Sequence, residues 1–224
     1  IRNKHLEYSK RSEELELSLN KRLINKEIQA FASIEQLKKE NQLLEQKRKE
    51  LKSVGLFENV KEEIFHIEDD IGELTQAVLS VNLQNAKAKL DIFNDIYQKL
   101  KVFLDILNNK RLSYKTMSIH PEQGFVFQNS NGTTLDVAEL SSGEQHEIVL
   151  LYELLFKIPE ESLVLIDEPE ISLHVVWQKE FLEDMKEIIK LRNFDILIAT
   201  HSPQIINGNW DLTVELKGEK ATSA

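Results

Sequence analysis

Cysteine is absent from the 224 residues, which excludes disulfides and thiolate zinc sites and makes a reducing cytoplasm the simplest setting. No apolar run approaches the roughly 18 residues of a membrane-crossing helix, and the N-terminal stretch is too charged for a signal peptide. The chain is therefore expected to be soluble and cytoplasmic, with no membrane partner. Positive charge is also in deficit, with 28 Lys/Arg against 38 Asp/Glu and a net of −10, which argues against a surface coated with nucleic-acid contacts. The deficit is uneven. Residues 1 to 52 carry 13 Lys/Arg against 9 Asp/Glu, a net of +4 that leaves −14 for the remainder, so any contact with DNA is expected in the N-terminal part. The same excess also fits a solvated helix of mixed charge. The first residue is Ile1 rather than methionine, and the chain is expected to be part of a longer protein.

Proline and glycine are sparse, at 4 and 7, and neither occurs from Leu6 to Lys52, where Lys, Glu, Gln and Leu dominate. That is a long-helix composition. Leu23, Ala30, Leu37, Leu44 and Leu51 recur every seven residues, but Glu27, Asn41 and Arg48 occupy companion positions, so a helical arm or hairpin is expected rather than a continuous zipper. Ser53-Val54-Gly55 breaks it. Two further helical stretches follow, the second with Leu90, Phe93, Ile96, Tyr97, Leu100, Phe103, Leu104 and Leu107 at helical spacing. Glu62, Glu63, Glu68, Asp69 and Asp70 invite a metal-site reading, yet on a helix they spread around the axis and form a solvated acidic face.

After Asn108-Asn109 the texture changes. Tyr114 to Ile119, Phe125 to Gln128 and Thr133 to Val137 read as short strands separated by turn-forming stretches, a small antiparallel meander. Leu163-Val164-Leu165-Ile166 and Ile196-Leu197-Ile198-Ala199 are continuous apolar runs, as in strands buried on both faces. The helix between them carries Trp177, Phe181, Met185 and Ile188 on one side, which completes a βαβ unit with a parallel sheet.

Ligands of open parallel sheets bind beyond the carboxyl ends of the strands. The residues there are Asp167-Glu168-Pro169-Glu170 and Thr200-His201-Ser202-Pro203. An apolar strand ending in Asp-Glu suits a carboxylate for Mg²⁺ and a second one to orient an attacking water. Leu140-Ser141-Ser142-Gly143-Glu144 opens a helix whose N-terminal amides suit an anion, although a capping box Ser141-x-x-Glu144 needs no ligand.

In this order the motifs resemble those of an ATP-binding-cassette (ABC) type ATPase head, of the branch that includes SMC proteins, RecF and OLD-like ATPases. Leu140 to Glu144 is similar to the signature motif, Leu163 to Glu168 to the Walker B strand, Ile171-Ser172-Leu173-His174 to the D-loop and Thr200-His201 to the switch-histidine loop. The segments IDEPEISLH, WQKEFL and LIATHSPQII are closest in wording to PtuA-like bacterial anti-phage defence ATPases. The likeness covers roughly residues 112 to 216. Ser142 stands where the signature commonly has glycine, tolerable if its φ is negative, and His174 stands where many transporters have aspartate. The resemblance implies an α/β fold: the parallel-sheet signature and Walker B lobe of an ABC ATPase over residues 112–224, with the small meander, and a coiled-coil-like helical arm over 1–111.

The resemblance further implies ATP and Mg²⁺ as cofactors, with Glu168 polarising the attacking water, His201 sensing the γ-phosphate and Asp167 holding the metal through water. Ser141, Ser142, Gly143 and Glu144 would face a nucleotide bound by a second subunit, with Ser172, Leu173 and His174 as the D-loop, so that two heads close around ATP. A P-loop, Gly-x4-Gly-Lys-Ser/Thr, is missing from the sequence, so this chain alone is expected to be inactive. An ATPase driving a DNA-related or anti-phage defence complex is the leading expectation. A non-catalytic scaffold head that binds a nuclease or DNA is the rival. Some OLD-like proteins carry a nuclease domain after the ATPase; with about twenty residues after Pro203, that reading is expected to need a separate nuclease subunit, and the sequence leaves the partner open between DNA along the arm, an HNH-type nuclease and a retron complex.

Overall fold

The computed structural model describes residues 2–24, 32–57, 67–120 and 122–215. They fall into two compact units, the first comprising 1–104 and 114–135 and the second 105–113 and 136–224. This grouping places the meander with the helices that precede it, whereas the sequence-based division placed it in 112–224.

In the first unit, helices α1 (Arg2–Ile24), α2 (Ile34–Ser53) and α3 (Glu73–Asp91) are followed by α4 (Asn94–Ile106). The expected long helix is interrupted before α2, where Ser33 and Gln36 form a reciprocal capping box that starts a new helix. Leu37, Leu44 and Leu51 are buried, and α2 packs on α3. From Leu37 onward the seven-residue stripe therefore serves packing within the chain. The side chain of Leu23, and Ala30 and Glu27 altogether, lie outside the described residues. The apolar series from Leu90 to Leu107 is buried almost throughout, but it divides between α3 and α4 at Ile92-Phe93.

Glu68, Asp69 and Asp70 lie on a loop rather than a helix, and Asp69 pairs with Lys38 at 2.5 Å. Glu62 and Glu63 are outside the described residues. The meander is β1 (Lys115–His120), β2 (Gly124–Asn129) and β3 (Thr134–Leu135), antiparallel in that order. Gly55, at φ +74°, lies where a Cβ would fall 1.9 Å from the Ile119 carbonyl oxygen, so only glycine fits this turn against β1.

The second unit is built on α5 (Ser142–Tyr152), β4 (Leu163–Asp167), α6 (Val175–Arg192), β5 (Asp195–Ala199) and the short α7 (Pro203–Ile206). β4 and β5 pair in parallel, with Leu165 opposite Leu197 and Asp167 opposite Ala199. Phe181, Met185 and Ile188 of α6 are buried as expected. The expectation of strands covered on both faces is not met. Leu163, Leu165 and Leu197 share one sheet face and remain 63%, 69% and 61% exposed, because alternate residues of a strand point to opposite faces.

A charged cluster lies inside this unit. Arg111 ends a π-helical turn, Leu107–Arg111, and is only 1% exposed. Its Nε donates to Glu147 Oε2 at 2.6 Å, and its other nitrogens reach Asp184 and, at 3.2 Å, Glu180. Glu147 on α5 and Asp184 on α6 are themselves 3% and 0% exposed. No described helix is long and apolar enough to cross a membrane.

Candidate active site

The parallel register sets the site. Because Asp167 pairs with Ala199, and the Glu168 N–H donates to the Ala199 carbonyl at 2.8 Å, β4 and β5 end together. Asp167-Glu168 and Thr200-His201 thus leave the same edge of the sheet. Glu168 adopts a left-handed backbone, φ 44° and ψ 53°, immediately before the turn Pro169–Ile171. A non-glycine residue there costs of order 1–3 kcal/mol, and such residues cluster at functional sites. Asp167, Glu168 and His201 are exposed, and among the described residues neither carboxylate is drawn into a hydrogen bond or ion pair. Two adjacent hard oxygen donors of this kind fit Mg²⁺, which takes one or two protein carboxylates and completes its shell with water and phosphate oxygens. Among the described residues no group of three or more His, Cys, Asp or Glu is placed to hold a metal.

Ser141 is the N-cap of α5. Its hydroxyl accepts from the Glu144 N–H at 3.3 Å and donates to Glu144 Oε2 at 3.0 Å, while its own N–H donates to the same oxygen at 2.8 Å. The capping box is therefore real, and it leaves Ser141 and Ser142 exposed with Gly143 half-buried. Glu144 departs from the expected nucleotide contact: it is buried, and its carboxylate is occupied in holding Ser141. Ser142 has no positive φ, so a serine in place of the usual glycine is unstrained. Gly143 lies beside the turn after β4, since a Cβ built there would touch the Ser172 carbonyl at 3.4 Å and the Trp177 ring at 3.5 Å. The start of α5 and residues 171–174 thus form one stretch of surface.

Within that stretch the D-loop candidates have different surroundings. Ser172 donates through its hydroxyl to the Pro169 carbonyl at 3.3 Å. Leu173 is buried in the core. His174 caps α6, its Nδ1 accepting from the Val176 N–H at 3.4 Å. The cap of α5 carries a testable consequence: Ser141→Ala removes the oxygen that accepts at the helix start and is expected to lower stability by about 1 kcal/mol, with Ser141→Thr recovering most of it in chemical denaturation.

Two further residues serve this rim: Glu170, which the sequence places after β4 without a role, and Gln178, which sequence reasoning passed over. The Glu170 carboxylate accepts from Thr200 Oγ1 at 2.7 Å and from the His201 N–H at 2.8 Å. Burial opposes its ionisation, and these hydrogen bonds outweigh that and hold its carboxyl below the usual range. Gln178 is buried, donates to the carbonyls of Glu170 and Leu173 at 3.3 and 3.2 Å, and accepts from Ser202 Oγ at 2.8 Å. The signal for Gln178 was a polar residue at helical spacing from Phe181 and Met185, on the apolar side of α6.

Residues 10 to 207 match the family model described as "AAA domain, putative AbiEii toxin, Type IV TA system". The chain belongs to this AAA domain family. It is 37% identical to "Protein ea59" of Escherichia phage lambda over 30% of this chain and 13% of that protein. It is 24% identical to "Retron Ec83 probable ATPase" of Escherichia coli over 59% of this chain and 29% of that one. A "Probable iron chelatin transport ATP-binding protein" of Helicobacter pylori is 30% identical over 38% of this chain and 32% of its own length. The chain thus spans about a third or less of the curated relatives it matches. Their names place ATP binding and ATPase activity among its relatives, in one retron-associated and one transport setting.

Proposed function

We propose that this AAA domain chain is the signature and Walker B part of an ATPase head that closes with a second head around ATP and Mg²⁺, within a DNA-related or anti-phage defence complex. The observation that carries the reading is the common edge of β4 and β5, where two unengaged carboxylates and His201 leave the sheet together. Glu168 takes the proton of the attacking water and His201 contacts the γ-phosphate. Mg²⁺, held by Asp167 through water, would neutralise charge developing on the phosphates. Ser141, Ser142 and Gly143 offer N-terminal amides and hydroxyls of α5 to the nucleotide of the other head.

Two exposed apolar surfaces support this architecture. Ile171, Val175 and Val176 surround the D-loop segment and suit contact with the second head. The uncovered sheet face at Leu163, Leu165 and Leu197 suits the lobe carrying the P-loop. On the first unit, Arg48, Lys52, Lys89 and Glu16 border a cavity of about 190 Å³ beside Tyr8 and Phe57, with Lys89 paired to Glu16 at 3.2 Å, and the proposed contact of the arm with DNA is placed at Arg48 and Lys52. A separate nuclease subunit, of HNH type, is the proposed effector.

The test is light scattering and turnover of the full-length protein with and without Mg-ATP. The mass is expected to double with ATP. Ser142→Arg, at an exposed helix-start position, is expected to change stability by no more than about 0.5 kcal/mol yet to abolish both doubling and turnover. A variant that hydrolyses ATP at the normal rate would remove the serine loop from the site.

A further inference from the structure

Between the two ends of the rim, the chain has built a link that neither strand requires. The turn after Glu168 and the loop after β5 come from sequence positions about thirty residues apart, and among the described residues no backbone hydrogen bond beyond Glu168 N–H to Ala199 joins them. Side chains make the connection instead. One Glu170 oxygen takes the Thr200 hydroxyl and the other the His201 amide, at 2.7 and 2.8 Å. Thr200 Oγ1 in turn accepts the Ser202 N–H at 3.0 Å. From the other side, Gln178 joins the Glu170 and Leu173 carbonyls to the Ser202 hydroxyl. Four of the residues that connect the histidine loop to residues 170–173 are therefore engaged through specific donors and acceptors rather than through packing.

We propose that Glu170 is a positioning residue for the reaction, its carboxylate holding the amide of His201 and the hydroxyl of Thr200 so that the histidine loop and the turn following Glu168 move as one body, with Gln178 closing the same link from α6. The inference rests on the reading of Glu168 and His201 given above. Its physical content is that the loop is fixed by a two-oxygen acceptor, which restricts where the imidazole is presented to a phosphate. A reacting geometry is sensitive to such restriction, because a displacement of about 1 Å can cost about a hundredfold in rate. The same link gives a route by which contact or loss of contact at His201 reaches residues 171–174, the segment proposed to face the second head.

The chemistry separates positioning from direct proton transfer. An alanine at 170 leaves the Thr200 hydroxyl and His201 amide to water. A glutamine keeps the shape: its amide oxygen accepts from His201 N–H, and its NH₂ group donates to Thr200 Oγ1, which has a lone pair to spare. Glu170→Ala in the full-length protein is therefore expected to lower kcat by about tenfold or more while KM for ATP changes by less than about threefold. Glu170→Gln is expected to stay within about threefold of the parent in kcat. In the double variant Glu170→Ala with His201→Ala, the rate is expected to equal that of His201→Ala alone, because both substitutions remove one function.

Parent-like kcat in Glu170→Ala would overturn the proposal, as would losses that multiply in the double variant. A glutamine variant as slow as the alanine variant would make Glu170 a proton-transfer group and overturn it too. Glu168→Gln, measured alongside, separates the levels: if it turns over normally, the reading of the rim has failed and this inference with it. If it is slow while Glu170→Ala is normal, the inference alone has failed.

Discussion

Glu168→Gln in the full-length protein is expected to lower ATP turnover by about 10²–10⁴-fold while ATP binding persists, and to accumulate the ATP-bound pair of heads. The expectation comes from what surrounds the side chain. Glu168 follows β4 directly, its N–H tied to the Ala199 carbonyl, and its carboxylate is exposed and has no partner among the described residues. Glutamine has the same shape and keeps an acceptor oxygen, so the left-handed turn and the pairing of β4 with β5 should survive. What is lost is the capacity to take a proton from water. Rapid-quench turnover and light scattering on the same sample check both halves of the expectation. A variant that turned over normally would leave the rim without its base.

Arg111→Met is expected to destabilise the fold by about 3–5 kcal/mol, because it leaves two buried carboxylates without their common cation. Arg111 bonds Glu147 and Asp184 from a position 1% exposed, and its guanidinium lies 5.7 Å from the Trp177 ring centre. Lys110 still reaches Asp184, so Glu147 is the group left most nearly alone. Burial already raises the Glu147 carboxyl above its ordinary value, against the lowering effect of Arg111. Since the folded chain holds this proton more tightly than the unfolded chain, protonation favours folding. That contribution is complete below the ordinary carboxylate value and is lost as pH rises through the folded one. Removing Arg111 pushes the carboxyl higher still, so the deficit of the variant should be largest near neutrality and shrink on acidification. Urea denaturation followed by tryptophan fluorescence across that range measures it. A deficit that is small, or independent of pH, would show that the cluster is not held by this cation.

The edge of the parallel sheet was legible in the sequence because two apolar runs each ended in polar residues suited to phosphate chemistry, and the pairing of Asp167 with Ala199 brings those ends together. The start of α5 was legible as both a cap and an exposed serine loop. Glu144 was misread because a motif assigns roles to positions, whereas the capping box turns this particular carboxylate inward. The buried strands were misread for a related reason: apolar residues on both faces report what a strand can cover, and the helix packed on β5 covers only one face here. Arg111, Glu147 and Asp184 escaped because a polar residue within an apolar helical series looks like an interruption until its partners, 36 to 73 residues away, are known, and Gln178 escaped for the same reason, with partners on the loops before and after α6. Glu170 was placed at the rim but given no role, since the donors to its carboxylate come from a loop thirty residues later.

The central claim is that the serine loop of one head serves the nucleotide of the other. Mixing Ser142→Arg heads with Glu168→Gln heads, each inactive alone, tests it most directly. Each mixed pair places both defects in one composite site and leaves the other intact, so turnover absent from either component should appear in the mixture, at about half of the parent rate per mixed pair. A mixture that remains as inactive as its components, although mixed pairs form, would contradict the account.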